Sequence, residues 1–385
     1  MKGKVAAHEK VGQMLEAALS WHMKGEFEKA GLLYRKVLAR QPRHFDALHL
    51  LGVIALQSGQ PGRAVELIGQ ALRVRTDSAA AYYNRGKARR DLRQFQAAIE
   101  DYDKAVALAP GEADIHFNRA NALRELKQNM AAVASFEKAI ALTPGDPAVH
   151  NNCGDALREL GNYRQALESY DKALTLRPDF AFLRGMRLHT AMHICAWNDL
   201  ENDLSQLERE IERGGMGSPP FQILPMINSA ALQKRAAEIW TQQKHPESHS
   251  LPSLPKYNRR EKIRLGYFSA DFHNHATTYL MAELVEKHDR NRFELIAFSF
   301  GPNENDQMRQ RMAAAFDRFI DVGTKSDAEV AELSRSLGVD LAIDLKGFTR
   351  DSRPGIFAAR AAPVQVSYLG YPGTMGAGYI DYLIA

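Results

Sequence analysis

One feature limits what this chain can fold into more than any other: Ala30, Ala64, Ala98, Ala132 and Ala166 follow one another at steps of 34 residues. Other positions keep the same step. Four residues on stand Tyr34, Ile68, Tyr102, Phe136 and Tyr170, and three further Val37, Ala71, Ala105, Ala139 and Ala173. Pro42, Thr76, Pro110, Pro144 and Pro178 close each unit, Thr76 alone departing from proline. A small residue lets two helices approach, the bulky residue four positions later fills the groove on the same face, and proline stops the second helix. Such a helix pair cannot bury its apolar face alone, so neighbouring units must stack into a right-handed solenoid with a long concave surface.

A period of 34 residues is that of the tetratricopeptide (TPR) repeat. Residues 1–180 therefore form a TPR array, its five repeats starting from about residue 11. Asn84, Asn118 and Asn152 recur in the first helices of the last three repeats, where the first two carry Glu16 and Leu50. An amide offers donors and an acceptor, so these residues either clamp the backbone of an extended polypeptide on the concave face or stabilise the array locally.

After Pro178 the period decays. Residues 182–213 still read helical, with Leu200, Leu204, Leu207 and Ile211 on one face, and are expected to cap the solenoid. Breaks at Gly214–Pro220 (GGMGSPP) and His245–Tyr257 (HPESHSLPSLPKY) mark 181–257 as capping helices and linker, with a domain boundary near 258.

From Ile263 the texture changes to short β-rich runs alternating with helical stretches, the pattern of a parallel, doubly wound sheet over 258–385. Expected strands are 263–269, 293–300, 319–322, 340–345 and 364–369, with a strand-like run at 379–385; expected helices lie near 278–289, 305–316 and 327–337. Ligands of such sheets bind at the carboxyl ends of the strands. Three loops follow strands there. ADFHNHAT (270–277) brings Asp271, His273, Asn274 and His275 to a helix start, either as reacting groups or as a cap and solvated side chains. Its H-x-H pair lacks a third ligand of fitting spacing, so no metal is expected. KGFTRDSRP (346–354) is polar and basic. GYPGTMGAG (370–378) is rich in glycines that permit close approach of backbone to a ligand, or simply a tight turn.

Composition narrows the function. A net charge of +4, from 50 basic against 46 acidic residues, gives no basic block for a nucleic-acid partner. No 18-residue apolar run or signal-peptide core is present, so no membrane partner is expected. The two cysteines, Cys153 and Cys195, read as buried thiols of a reducing compartment, and the expected location is cytoplasmic.

Taken together, a TPR array followed by SADFHNH, DLKGFT and APVQVSYLGYPGTMGAGYIDY closely resembles the TPR-containing protein O-linked N-acetylglucosamine transferases and their bacterial relatives, and Cys195–Ala196–Trp197 resembles that family's passage from repeats to catalytic unit. The resemblance implies an α-solenoid followed by a Rossmann-like lobe, the N-terminal half of a two-lobed GT-B-type, inverting, metal-independent glycosyltransferase. It implies transfer from UDP-GlcNAc to Ser or Thr of proteins, with no cofactor and with the array recruiting acceptors. His275 and Asp271 match the family's residues beside the acceptor hydroxyl, candidates for removing its proton. Thr277 matches a pocket threonine, Leu369 and Gly370 match residues packing on the sugar, and Phe348 and Tyr371 complete the expected substrate pocket. The family's common proline after the histidine is Ala276 here, the tyrosine that its animal members carry in the second loop is Phe348, and the histidine that animal members carry in the linker has no counterpart around 219–222. The family's second lobe, which holds the nucleotide, has no counterpart in residues 1–385, so this chain by itself is expected to be inactive. The alternatives are a protein O-fucosyltransferase of the same architecture and a non-catalytic TPR scaffold.

Overall fold

The computed structural model describes residues 2–254, 260–304 and 306–384, with side chains from residue 10 onward. The boundary expected near 258 lies outside the described residues. The chain divides into two compact units, Met1–Pro178 and Asp179–Ala385.

The first unit is built of helix pairs: α1 (Lys2–Met23) and α2 (Phe27–Arg40), α3 (Phe45–Gln57) and α4 (Pro61–Val74), α5 (Ala79–Asp91) and α6 (Phe95–Leu108), α7 (Ala113–Glu125) and α8 (Asn129–Leu142), α9 (Pro147–Glu159) and α10 (Tyr163–Leu176). Each second helix stops two residues short of the repeat's proline position. The residue in between leaves helical geometry, as the residue before a proline must. α4 stops at the same place although Thr76 follows, so neighbouring repeats impose the end that proline encodes elsewhere. The alanine, the bulky residue four later and the small residue three further are fully buried in all five repeats. Their counterparts on the first helices are Ala18, Gly52, Gly86, Ala120 and Gly154, also buried. A Cβ on Gly154 would lie 2.5 Å from the Tyr170 ring and one on Gly86 2.7 Å from the Tyr102 ring, so these glycines are the sockets into which the bulky residues fit.

The second unit opens with α11 (Leu183–Met192), α12 (Leu200–Glu212), α13 (Pro220–Ile223) and α14 (Ala230–Lys244). The expected continuous helix at 182–213 is broken at 193–199, where Cys195 takes a left-handed φ of 52° and is exposed, correcting its expectation as a buried thiol. Leu207 and Ile211 do form a buried stripe, packed with Ile223, Ile227, Ala236 and Ile239 inside this unit. Nor is GGMGSPP a loose linker. Gly217–Pro220 is buried, the Gly185 amide donates to the Gly217 carbonyl at 2.8 Å, and a Cβ on Gly185 would run into Ser218, so small residues here close two segments onto each other.

Then follow β1 (Ile263–Ser269), α15 (Ala276–Glu286), β2 (Phe293–Ser299), α16 (Gln307–Ala315), β3 (Arg318–Asp321), α17 (Asp327–Ser336), β4 (Leu341–Asp344), α18 (Pro354–Ala358), β5 (Val364–Tyr368) and β6 (Tyr382–Ile384). All pairings are parallel and the strand order is β3-β2-β1-β4-β5-β6, the doubly wound arrangement. Alternation along the strands feeds two cores. Leu265, Tyr267, Leu295 and Ala297 pack with Met281 and Val285 of α15 and Met308 and Met312 of α16, while Phe268 and Phe298, stacked with ring centres 4.3 Å apart, pack with Val330 of α17 and Ile356 and Phe357 of α18.

Candidate functional site

The strand order reverses between β1 and β4, whose carboxyl-end loops therefore lie side by side; in a doubly wound sheet this is the crevice that takes ligands. β1 delivers Asp271 and β4 delivers Lys346. The Lys346 ammonium donates to both Asp271 oxygens, at 2.9 and 2.8 Å, and both side chains are at least nine-tenths buried. Charges taken this far from water persist only when paired and hydrogen-bonded. Beneath them Asp344, fully enclosed, accepts the Lys346 backbone N–H at 2.9 Å. Burial pushes the Asp344 carboxyl up to about 6, against the opposing pull of the Lys346 and Gly347 amides and the Lys346 charge.

His275 stands at the rim, half exposed, as the N-cap of α15. Asp271 does not take that capping role, and the helix starts at Ala276, earlier than expected, which places Thr277 in its first turn. The Nδ1 of His275 has two competing neighbours: it accepts from the Thr277 amide at 3.2 Å and lies 3.5 Å from Asp271 Oδ2. The Thr277 hydroxyl donates to the same Oδ2 at 3.4 Å, and the Thr278 hydroxyl donates to the Asp271 carbonyl. Asp271, His275 and Thr277 are thus brought together as the sequence suggested. Chemically, the cluster sets a carboxylate steadied by a buried cation beside an imidazole, a group able to take up or release a proton near neutral pH.

The third loop closes from the other side. Leu369, 38 % exposed, holds a left-handed φ of 67° at the end of β5, an uncommon strain for a leucine. A Cβ on Gly370 would run into the Leu345 carbonyl. Gly370 and Gly376 thus permit close approach to protein backbone, whereas Gly378 faces open space. Phe348 and Tyr371, with ring centres 5.5 Å apart, are buried with Ala237 and Met375, so they form a floor behind the crevice rather than an open face. The Thr241 hydroxyl of α14 donates to the Met375 carbonyl at 2.9 Å and ties the loop down.

Two residues escaped the sequence reading. Lys346 stands in a loop whose sequence reads only as polar and basic, and its partner lies 75 residues earlier; the strand order puts these loops together. His245, which follows α14, lies 6.4 Å from the Phe348 ring and stacks on it, so a linker histidine does reach the second loop although none stands around 219–222. Burial lowers its pKa, with Asp327 opposing and Lys244 reinforcing the shift.

His273 stands beside His275, their ring centres 5.8 Å apart. It lies with Glu304 and Asp306, their ligand atoms within 4.8 Å of one another, a group that sequence spacing did not suggest. The Asp306 oxygens accept the Arg309 amide, as the cap of α16, and the Asn274 amide, each at 2.8 Å, so this residue ties two loops together.

In the array, the Asn118 amide is engaged on both sides. It donates to the Tyr83 hydroxyl at 3.1 Å and the Asp114 carbonyl at 2.8 Å and accepts from Arg90 at 2.7 Å, and the residue is buried. Asn84 donates to His49 Nε2 at 3.1 Å, and Asn152 donates to Asn121 and accepts from Asn151, both at 3.0 Å; each is partly exposed. The bonds to Tyr83, Arg90, His49 and Asn121 link the first helices of successive repeats, while those to Asp114 and Asn151 stay within one helix.

Comparison with known proteins agrees with this division. Residues 23–147 match tetratricopeptide repeat models in overlapping stretches and 147–180 match a further one. Residues 237–385 match the model of glycosyl transferase family 41. The protein named "Probable UDP-N-acetylglucosamine--peptide N-acetylglucosaminyltransferase SEC" of Arabidopsis thaliana is 32 % identical over 212 residues, covering 51 % of this chain and 22 % of that protein. The UDP-N-acetylglucosamine–peptide N-acetylglucosaminyltransferase of Caenorhabditis elegans is 30 % identical over 206 residues, covering 50 % of this chain and 18 % of its own length. The chain thus spans about a fifth of the length of these relatives. Among solved structures, an O-GlcNAc transferase mutant of Thermobaculum terrenum aligns over 88 % of this chain and 53 % of its own, at 24 % identity and a TM-score of 0.42. No helix among the described residues is long and apolar enough to cross a membrane. The chain therefore joins a TPR array to a segment, residues 237–385, that matches the model of glycosyl transferase family 41, and it is homologous to the peptide N-acetylglucosaminyltransferases.

Proposed function

We propose that this chain is part of a protein O-glycosyltransferase that moves N-acetylglucosamine from UDP-N-acetylglucosamine to serine or threonine hydroxyls of proteins. The observation that carries the reading is the meeting of Asp271, His275, Thr277 and Lys346 at the switch point of a family 41 segment. In a single displacement the acceptor oxygen bonds to the anomeric carbon as the bond from that carbon to the diphosphate breaks, and the acceptor proton must leave. His275 Nε2 takes that proton when its Nδ1–H is directed at Asp271 Oδ2, so the carboxylate stabilises the imidazolium that forms. Thr277, Leu369 and Gly370 line the sugar's place, with Phe348 and Tyr371 supporting it from behind. The transfer draws on the donor alone, without metal or cofactor, and the nucleotide is held by sequence outside residues 1–385. The array recruits acceptor proteins on its concave face, where Asn84 and Asn152 keep amide capacity for a polypeptide backbone while Asn118 stays with its array partners. We place the reaction in the cytoplasm.

The test uses the full-length gene product with a labelled donor and an acceptor protein. His275→Ala is expected to lower kcat by roughly 10²–10⁴ with donor KM retained, and a chelator is expected to change nothing. A folded full-length protein that transfers no label from UDP-N-acetylglucosamine would sink the reading, and transfer from GDP-fucose instead would assign the other donor.

A further inference from the structure

Two groups compete for one nitrogen at the rim of the site, and a third group decides between them. If His275 Nδ1 accepts from the Thr277 amide, a neutral ring carries its proton on Nε2 and can only donate there. If Nδ1 carries the proton and points it at Asp271 Oδ2, Nε2 bears the lone pair and can act as a base. Oδ2 is already crowded by Lys346 Nζ at 2.8 Å and the Thr277 hydroxyl at 3.4 Å. The amide is also the nearer neighbour of Nδ1, at 3.2 Å against 3.5 Å.

We propose that Lys346 is a positioning residue that sets the tautomer of His275: by holding both oxygens of Asp271 it keeps Nδ1 on the Thr277 amide and the proton on Nε2, and release of that hold turns Nε2 into the base. The groups that face Asp271 are Lys346 from the β4 loop and His275 and Thr277 from its own loop and α15, with Asp344 below Lys346. No other charged side chain among the described residues is seen to bond the Asp271 carboxylate. An ammonium satisfies the carboxylate's lone pairs and cancels its charge, so an imidazole N–H gains little by turning to it; once the ammonium is withdrawn, a charge-assisted hydrogen bond to Nδ1–H becomes the better use of Oδ2. The proton moves between ring nitrogens through solvent, with none gained or lost. The inference rests on the transferase reading for its purpose, since a base is needed only where an acceptor proton must leave, but its test does not.

The test reads the ring nitrogens of His275 by long-range proton–nitrogen NMR of the ¹⁵N-histidine-labelled chain at about pH 8, where an ordinary imidazole is neutral, with assignment by His275→Asn. Wild type is expected to show mainly the Nε2–H form. Lys346→Met should move the ratio about tenfold towards Nδ1–H. Because that variant leaves a buried carboxylate unpaired, at a cost to folding, Lys346→Gln serves beside it: its amide keeps one hydrogen bond and removes the charge. The double variant Asp271→Asn/Lys346→Met should return to Nε2–H, and Lys346→Arg should resemble wild type. An unchanged ratio in folded Lys346→Gln, or an Nδ1–H majority already in wild type, overturns the proposal. If the ratio moves but the full-length protein transfers no sugar, the transferase reading fails and the role of Lys346 stands; the reverse pair of results separates them the other way.

Discussion

Asp344 shows how much of this site is decided below its surface. Its carboxyl is wholly buried and raised to about 6 from the ordinary 3.8, so the folded state holds a proton that the unfolded chain has already released between those values. Stability from this group is then greatest at low pH and falls as pH rises from about 4 to 6, because the fold penalises the ionised form. Asp344→Asn removes the titration while its side-chain carbonyl still accepts the Lys346 amide. Urea unfolding of the second unit should show the variant gaining on wild type by on the order of 1–3 kcal/mol between about pH 4 and pH 7. Parallel profiles for the two proteins would mean that Asp344 stays charged in the fold. Residues of this kind were hard to find in the sequence for a physical reason. Asp271 and His275 lie in one loop beside a helix start and announce themselves, whereas Lys346 acquires its meaning from a partner 75 positions away. His245 likewise looked like part of a proline-rich break and gains a role only because α14 carries it to Phe348.

Elements were more legible where a local rule sets their limits. β1 runs from Ile263 to Ser269 as read from its apolar run, and the repeat helices end where the period said they would. α15 began earlier than read because its cap is a histidine, outside the usual Ser, Thr, Asp and Asn signals. α18 was missed because a single turn after Pro354 carries no periodic signal. Within the array, glycine means two different things on the two helices of a repeat. Gly154 is a socket: an added methyl would meet the fully buried Tyr170 ring at 2.5 Å. Gly69 in α4 faces open space, with its nearest neighbour an Arg85 nitrogen at 3.9 Å. Gly69→Ala should therefore stabilise the array by about 0.5–1 kcal/mol through helix propensity. Gly154→Ala, with the same propensity gain, should destabilise it by about 1–2 kcal/mol because the ring must move. Thermal denaturation followed by circular dichroism decides; two stabilising substitutions would show that the Tyr170 groove has slack, as the alanine at the same place in the fourth repeat, Ala120, already hints for Phe136.

At the scale of the whole molecule the two units are held together by different ranges of contact. In the array Ile68, Tyr102 and Tyr170 each meet a glycine socket one helix earlier, and the apolar clusters around Tyr34 and Ile68 draw on neighbouring helices. In the second unit the central pairing joins Gly266 to Ala342, with strands β2 and β3 and their helices lying between β1 and β4 in sequence. That single feature of topology reappears as time. Loop closure must be paid in entropy before a long-range pairing returns anything, so local helical stacks form quickly and parallel sheets slowly. After dilution from denaturant, far-ultraviolet signal should recover in two phases, the array first and the Phe268–Phe298 core at least about tenfold later. Gly69→Ala should leave the slow phase untouched, and recovery of the far-ultraviolet signal in one phase would show that the units fold as one. During the interval the apolar faces of β1 and β2 lie open to solvent, so the lag in the sheet, rather than its final stability, sets how concentrated a solution of this chain can be refolded without loss.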